Sequence, residues 1–180
     1  MRGELLSLLK KDAWYKGEVK LSSGKTSNFY IDVRRVSLSS QGIYLISHLM
    51  WELIKDDEIS AIGGPTLGAD PIVAGVCMVS HMQKKPLNAF LIRKTPKAHG
   101  RQQLIEGKEL KPGDRVVIVD DVATSGSSLI KSIEVLAKEK IQIVKALAVI
   151  DREEGATENL AKLNCPLVSL FKKSDFFRND

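Results

Sequence analysis

The chain has 180 residues, 43% of them hydrophobic and 27% charged, which is the composition of one globular domain and excludes disordered and fibrous classes. A chain of this length buries roughly 70% of its unfolded surface, and its two cysteines, Cys77 and Cys165, have no ligand-like spacing, so a disulfide scaffold and a zinc ribbon are excluded too. The formal charge of +5 is local: between Pro71 and Ile105 there is no acidic residue, while Lys84, Lys85, Arg93, Lys94, Lys97 and Arg101 are basic.

In chain order, Met1–Lys11 reads as a short amphipathic helix, because Glu4 and Lys10 stand too close for a signal-peptide core. No apolar run approaches a membrane span, so a soluble, cytoplasmic protein with no membrane partner is expected. A turn at Ser22–Gly24 and a strand around Phe29–Ile31 form a small N-terminal cap. Ile46, Leu49, Met50, Leu53 and Ile54 then make one apolar helical stripe. A strand at Ile59–Gly63 precedes a helix marked by Ile72, Val73, Val76 and Cys77, and Asn88–Ile92 is the next strand. The twenty-one residues from Lys94 to Asp114 show no convincing helix and separate two strands, the signature of a lid or binding loop. After the strand Arg115–Val119, Leu129, Ile130, Ile133, Leu136 and Ala137 mark a helix for which Thr124-Ser125 is suitable N-cap chemistry. Ile143–Ile150 and Leu167–Leu170 complete the strands. Apolar strands alternating with helices specify an α/β fold, a mainly parallel sheet with helices on both faces.

The basic segment has three readings: a solvated face, a nucleic-acid surface or a site for a small polyanion. Phe90 is its only aromatic residue, so a base-stacking platform is poorly supported and the polyanion is favoured. The string Val116-Val-Ile-Val-Asp-Asp-Val-Ala-Thr-Ser-Gly-Ser-Ser128 sharpens this. A buried strand ends in two carboxylates, and the turn that follows offers backbone N–H groups and hydroxyls to a phosphate at a helix N-terminus. Adjacent carboxylates suit sugar hydroxyls or waters on Mg²⁺, so the pair and the turn together describe a ribose 5-phosphate. A helix cap after a strand explains the Ser and Gly but not Asp120 and Asp121. Gly63–Gly68, Arg93-Lys94 and Asp151–Gly155 also follow strands, and in a parallel sheet those C-terminal ends share the edge where ligands bind. There is no Gly-x-x-x-x-Gly-Lys-Ser/Thr loop and no Gly-x-Gly-x-x-Gly after a strand, and the three histidines have no metal-ligand spacing.

Val116–Ser128 resembles the phosphoribosyl pyrophosphate (PRPP) signature of type I phosphoribosyltransferases. Ser23-Gly-Lys-Thr-Ser-Asn-Phe-Tyr-Ile-Asp32 resembles the hood motif of the orotate phosphoribosyltransferases, and Arg93-Lys-Thr-Pro-Lys-Ala-His-Gly100 their catalytic loop; Asp151-Arg152 fits as well. The resemblance implies a single domain over 1–180, with hood elements over about 1–40 and a PRPP-binding core over about 41–180. It implies transfer of the phosphoribosyl group from PRPP to orotate, with Mg²⁺ held through substrate and waters rather than by a protein cage. Asp120 and Asp121 would hold ribose hydroxyls and Mg²⁺ waters, Val122 would belong to the PRPP site, and Ala123, Thr124, Ser125, Gly126, Ser127 and Ser128 would bind the 5-phosphate. Gly64–Gly68 would form a pyrophosphate loop. Orotate would meet Thr124, Arg152, Phe29, Tyr30 and Lys25. Lys94 would bind pyrophosphate in its own subunit, with Arg93, Lys97 and His99 from a homodimer partner, and Lys97 and His99 would stabilise the leaving group. Two departures stand out: Ser22 replaces a Lys of many bacterial relatives, and the loop continues Arg101-Gln-Gln instead of a Gly-rich stretch. A PRPP-binding regulator and a phosphoribosyltransferase for another base are the alternatives.

Overall fold

A computed structural model describes residues 1–20, 26–95 and 104–177. Its central sheet has six strands: β3 (Ala61–Pro65), β4 (Asn88–Ile92), β5 (Ile105–Gly107), β6 (Arg115–Ala123), β7 (Gln142–Asp151) and β8 (Leu167–Lys172). Their order is β5-β4-β3-β6-β7-β8, and every pair is parallel except β4 with β5. The parallel connections run through α4 (Ala69–Met82), α5 (Ser127–Lys138) and α6 (Ala156–Ala161). Ahead of the sheet, α1 (Arg2–Asp12) leads into an antiparallel ribbon of β1 (Trp14–Lys20) and β2 (Thr26–Ile31), followed by α2 (Arg34–Ser37) and α3 (Ser40–Glu52).

Because side chains alternate along a strand, the apolar runs of β6 and β7 feed two cores. Val117, Val119, Leu147 and Val149 pack with α1, α3 and α4, whereas Val116, Ile118, Ala146 and Ala148 pack with Leu129 and Leu136 of α5 and Leu160 of α6. Leu5, Leu9, Ile31 and Val33 from the N-terminal elements belong to the first of these cores, so the cap is joined to the sheet by shared burial.

Three sequence expectations change. The strands run to Pro65, Ala123, Asp151 and Lys172, beyond the residues assigned to them, and the N-terminal cap contains a second strand, β1. The Lys94–Asp114 stretch is not wholly irregular, since Ile105–Gly107 pairs with Phe90–Ile92 as an antiparallel edge strand; three residues are too few to show a period. Finally, α5 is entered through Gly126, with no side-chain cap bond, rather than capped by Thr124 or Ser125. Gly126 has φ +77°, a left-handed conformation that glycine adopts without strain, and it turns the chain from strand into helix. The turn at Ser22–Gly24 lies outside the described residues.

Candidate active site

The strand order itself makes a crevice. The chain runs outward from β3 to β4 and β5, then returns to β6 beside β3 and runs outward the other way through β7 and β8. Loops leaving β3 and β6 therefore part to opposite sides of the sheet, which is the switch point where open α/β sheets bind ligands. Four of the sequence clusters emerge here, after Pro65, Ile92, Ala123 and Asp151.

Asp120 and Asp121 lie near the end of β6. Asp120 is 8% exposed; its Oδ1 accepts the Asp121 N–H at 2.9 Å, and Asp121 Oδ1 accepts the Val122 N–H at 2.8 Å. Burial pushes the Asp120 carboxyl well above the usual carboxylate range, and the Asp121 charge adds to it, while the Lys94 charge opposes the shift. Asp121 is also raised by burial, against the hydrogen bonds from its neighbours and the charge of Arg34. Arg34 is itself held by Asp32, Nε to Oδ1 at 2.8 Å. The pair is thus a desolvated acidic site built of hard oxygen donors, each carboxylate having bonded one oxygen to the next amide. Such a site suits sugar hydroxyls or the waters of a hard divalent cation, either of which relieves the burden of two buried like charges. Among the described residues no cluster of three or more potential ligands could cage a metal.

The loop after β3 touches this pair. Gly68 has ordinary helical torsions, but a Cβ there would lie 2.5 Å from the Asp121 carboxyl carbon, so a side chain fits only if the carboxylate moves. On the other side, Asp120, Val122 and the Ala123–Leu129 turn line a cavity of about 70 Å³. The turn is held from outside by Asn159, whose Nδ2 donates to the Ser125 carbonyl at 3.0 Å. The hydroxyls of Thr124, Ser125, Ser127 and Ser128 make no hydrogen bonds with other described residues, which leaves them for a ligand.

Arg152 follows β7 and sits beside the start of that turn, its N–H donating to the Ala123 carbonyl at 2.9 Å. It is 6% exposed. Its guanidinium stacks over the Phe29 ring at 4.8 Å, and Phe29 stacks in turn on Trp14 at 4.9 Å, as does Phe176 at the same distance. The N-terminal ribbon thereby lays an aromatic wall against a cation after β7. Tyr30, next in the strand, faces the opposite way and approaches Tyr15 at 6.4 Å. Arg93 follows β4, with Nη1 3.5 Å from Glu106 Oε1, and Lys94 beside it is exposed. Lys25, Lys97 and His99 lie outside the described residues.

The structure therefore gathers Asp120 through Ser128, Arg152 and Phe29 at one edge, with Arg93 and Lys94 at the end of the neighbouring strand β4. Sequence reasoning missed Glu154, which bonds Arg152, and the Asp32–Arg34 pair whose charges act on Asp121. An Arg-x-Glu or Asp-x-Arg spacing has no periodic signature; only the folded turns bring these groups together.

Comparison with known proteins agrees with this geometry. The Phosphoribosyl transferase domain family matches residues 41–173. The chain is 42% identical over 177 residues to the orotate phosphoribosyltransferase of Aquifex aeolicus, covering 97% of this chain and 96% of that protein. Among solved structures, it resembles Mycobacterium tuberculosis H37Rv orotate phosphoribosyltransferase in complex with Fe(III) dicitrate, with TM-score 0.86 and 36% identity over 98% of this chain and 99% of that one. The same enzyme in complex with PRPP gives TM-score 0.81 and 33% identity, covering 97% and 98% of the two chains. A PRPP-type turn, a paired acidic strand end and near-full-length similarity converge, and the chain belongs to the orotate phosphoribosyltransferases of the phosphoribosyl transferase family.

Proposed function

We propose that this edge transfers the 5-phosphoribosyl group from PRPP to orotate, giving orotidine 5′-monophosphate and pyrophosphate, a step of pyrimidine biosynthesis. The observation that carries the reading is the placement of a buried guanidinium, Arg152, beside the phosphate turn and the acidic pair. A base with a carboxylate is matched by that planar fork; a neutral base would leave the end of a buried guanidinium without an acceptor.

In the reaction the bond from ribose C1 to pyrophosphate breaks, and orotate N1 bonds to C1 through an oxocarbenium-like transition state, the N1 proton being released to water or to the departing pyrophosphate. The chain supplies position and charge rather than covalent chemistry. The Thr124–Ser128 turn holds the 5-phosphate by N–H groups and hydroxyls. Asp120 and Asp121 orient the ribose hydroxyls, and Gly68 brings the loop after β3 against them. Asp120 and Asp121 would also hold Mg²⁺ through waters; when bound, the ion neutralises charge growing on pyrophosphate. Arg152 fixes the orotate carboxylate, Thr124 and Lys25 add polar contacts, and Phe29 borders the pyrimidine, whereas Tyr30 faces away from it. Lys94 meets the pyrophosphate of its own subunit, while Arg93, Lys97 and His99 approach the site of a second copy in a cytoplasmic homodimer. The acid-free basic segment supports a loop built to cover a polyanion. The chain is read as one domain, hood over about 1–40 and core over about 41–180. Among the described residues no helix is long and apolar enough to cross a membrane.

The test is pyrophosphate release from PRPP and Mg²⁺ with orotate, uracil, hypoxanthine or adenine as acceptor. Turnover with orotate alone is expected; a preference for either purine would overturn the reading.

A further inference from the structure

Arg152 is not alone in its pocket. Its Nε and Nη2 both donate to Glu154 Oε1, at 3.1 and 2.8 Å, while Nη1 makes no hydrogen bond with another described residue. A guanidinium offers two bidentate edges, Nε/Nη2 on the side and Nη1/Nη2 at the end. Glu154 occupies the side, and the Phe29 ring covers a face at 4.8 Å. What remains for a planar carboxylate is the end.

The backbone is shaped to produce this contact. A side chain two residues on reaches back only if the chain reverses between them, and Glu153 does so with φ +56°, an uncommon conformation for a residue with a Cβ. Asp151 holds the reversal: its Oδ1 accepts the Glu153 N–H at 2.9 Å and its Oδ2 accepts the Thr157 hydroxyl at 3.1 Å. Glu153 is in turn anchored by the Ser174 N–H, 2.9 Å from its Oε2.

We infer that Glu154 is a positioning residue for acceptor recognition: it balances the buried Arg152 charge and fixes the fork so that its end receives the acceptor's carboxylate. This rests on the reading that Arg152 binds that carboxylate. Glu154 touches no substrate; it acts only through Arg152.

The experiment measures KM for orotate and for PRPP in the full chain carrying Glu154→Ala, Glu154→Gln, Arg152→Ala or the double Ala change. KM does not depend on how much of a preparation is folded, so partial instability leaves the readout intact. Glu154→Ala should raise the orotate KM about tenfold or more, the scale of a lost hydrogen bond to a charged group, with the PRPP KM unchanged. Glu154→Gln keeps an oxygen acceptor on the side edge but not the charge, and should recover part of that loss. In the Arg152→Ala background, removal of Glu154 should add less than about twofold, because a residue acting through another has nothing left to act on. An unchanged or lowered orotate KM in Glu154→Ala, a parallel rise in PRPP KM, or a full additional loss in the double variant would each overturn the inference. If Arg152→Ala damages orotate use while Glu154→Ala is silent, only this inference falls. If the unmodified chain does not use orotate, both it and the acceptor assignment fall.

Discussion

Gly68→Ala isolates the contact between the loop after β3 and the acidic pair. The torsions of Gly68, φ −66° and ψ −35°, suit alanine, and a Gly to Ala change in a helical conformation is worth about 0.5–1 kcal/mol in its favour. The only obstacle is steric. An added Cβ lies 2.5 Å from both Cγ and Oδ1 of Asp121 and 2.8 Å from Oδ2, where ordinary contact begins at 3.4 Å. The carboxylate and the loop must therefore separate by about 1 Å, a misplacement that can cost about a hundredfold in rate. Side-chain atoms bear the clash, so the fold should absorb it. The expected result is a fall of about a hundredfold in kcat/KM for PRPP, or about 2.7 kcal/mol of transition-state stabilisation. The melting temperature should stay within about 3 °C, because each kcal/mol moves it by about 2–4 °C in a chain of this size. The assay is pyrophosphate release with PRPP varied at saturating orotate, alongside a thermal melt. Gly3→Ala serves as control, since a Cβ there meets nothing within 4 Å. Activity within about threefold of the parent at an unchanged melting temperature would refute the idea that this contact sets the reacting geometry.

The paired change Asp120→Asn/Asp121→Asn should abolish turnover yet stabilise the fold. Both carboxyls are raised by burial, so the folded state favours their protonated forms; the stability they lend is present below about pH 3.9, the unfolded value, and is lost as pH rises through their folded values. The variant's gain in melting temperature should thus be smallest near pH 4 and largest near pH 8, and a gain that shrinks with rising pH would contradict the assignment. Cys165, buried and pushed up to about 11, should resist alkylation in the native protein at pH 8, as mass spectrometry would show; rapid labelling would mean that the core around β8 opens. Lys97→Ala and Asp120→Asn/Asp121→Asn chains, each inactive, should recover activity on mixing and reassembly, up to about one working site per mixed dimer. Confirmed mixed dimers without activity would place the basic loop over its own subunit.

How much of this was legible in the sequence depended on whether the signal was local. β6 and β7 carry unbroken Val, Ile, Leu and Ala runs because both faces are buried, and those runs locate the sheet centre. The acidic pair lies near the end of β6 and the Thr124–Ser128 turn follows it without a gap, so their chemistry could be read from one string. β1 could not: Trp14-Tyr-Lys-Gly-Glu-Val-Lys20 is polar and glycine-broken, and its register with β2 shifts between Lys16 and Val19. The six residues of α6 and three of β5 are too few for a period. Contacts made by chain reversal or across the fold left no pattern at all. Glu154 reaches Arg152 only because Glu153 adopts a positive φ, and Gly68 meets Asp121 only because β3 and β6 are neighbours. The Phe29–Arg152 stack joins the N-terminal ribbon to the turn after β7, so the resemblance suggested both residues while nothing in their spacing could.

The central claim is that acceptor choice resides in the buried fork of Arg152. The most direct measurement is the ratio of kcat/KM for orotate to that for uracil, the same ring without a carboxylate, in the parent and in Arg152→Ala. A site built around a buried polar partner discriminates by about 10⁴–10⁵ against an analogue that lacks it, and removal of the fork should collapse the ratio to within about tenfold of unity while the PRPP KM holds. A ratio that survives Arg152→Ala, or a loss shared equally by PRPP, would contradict the account.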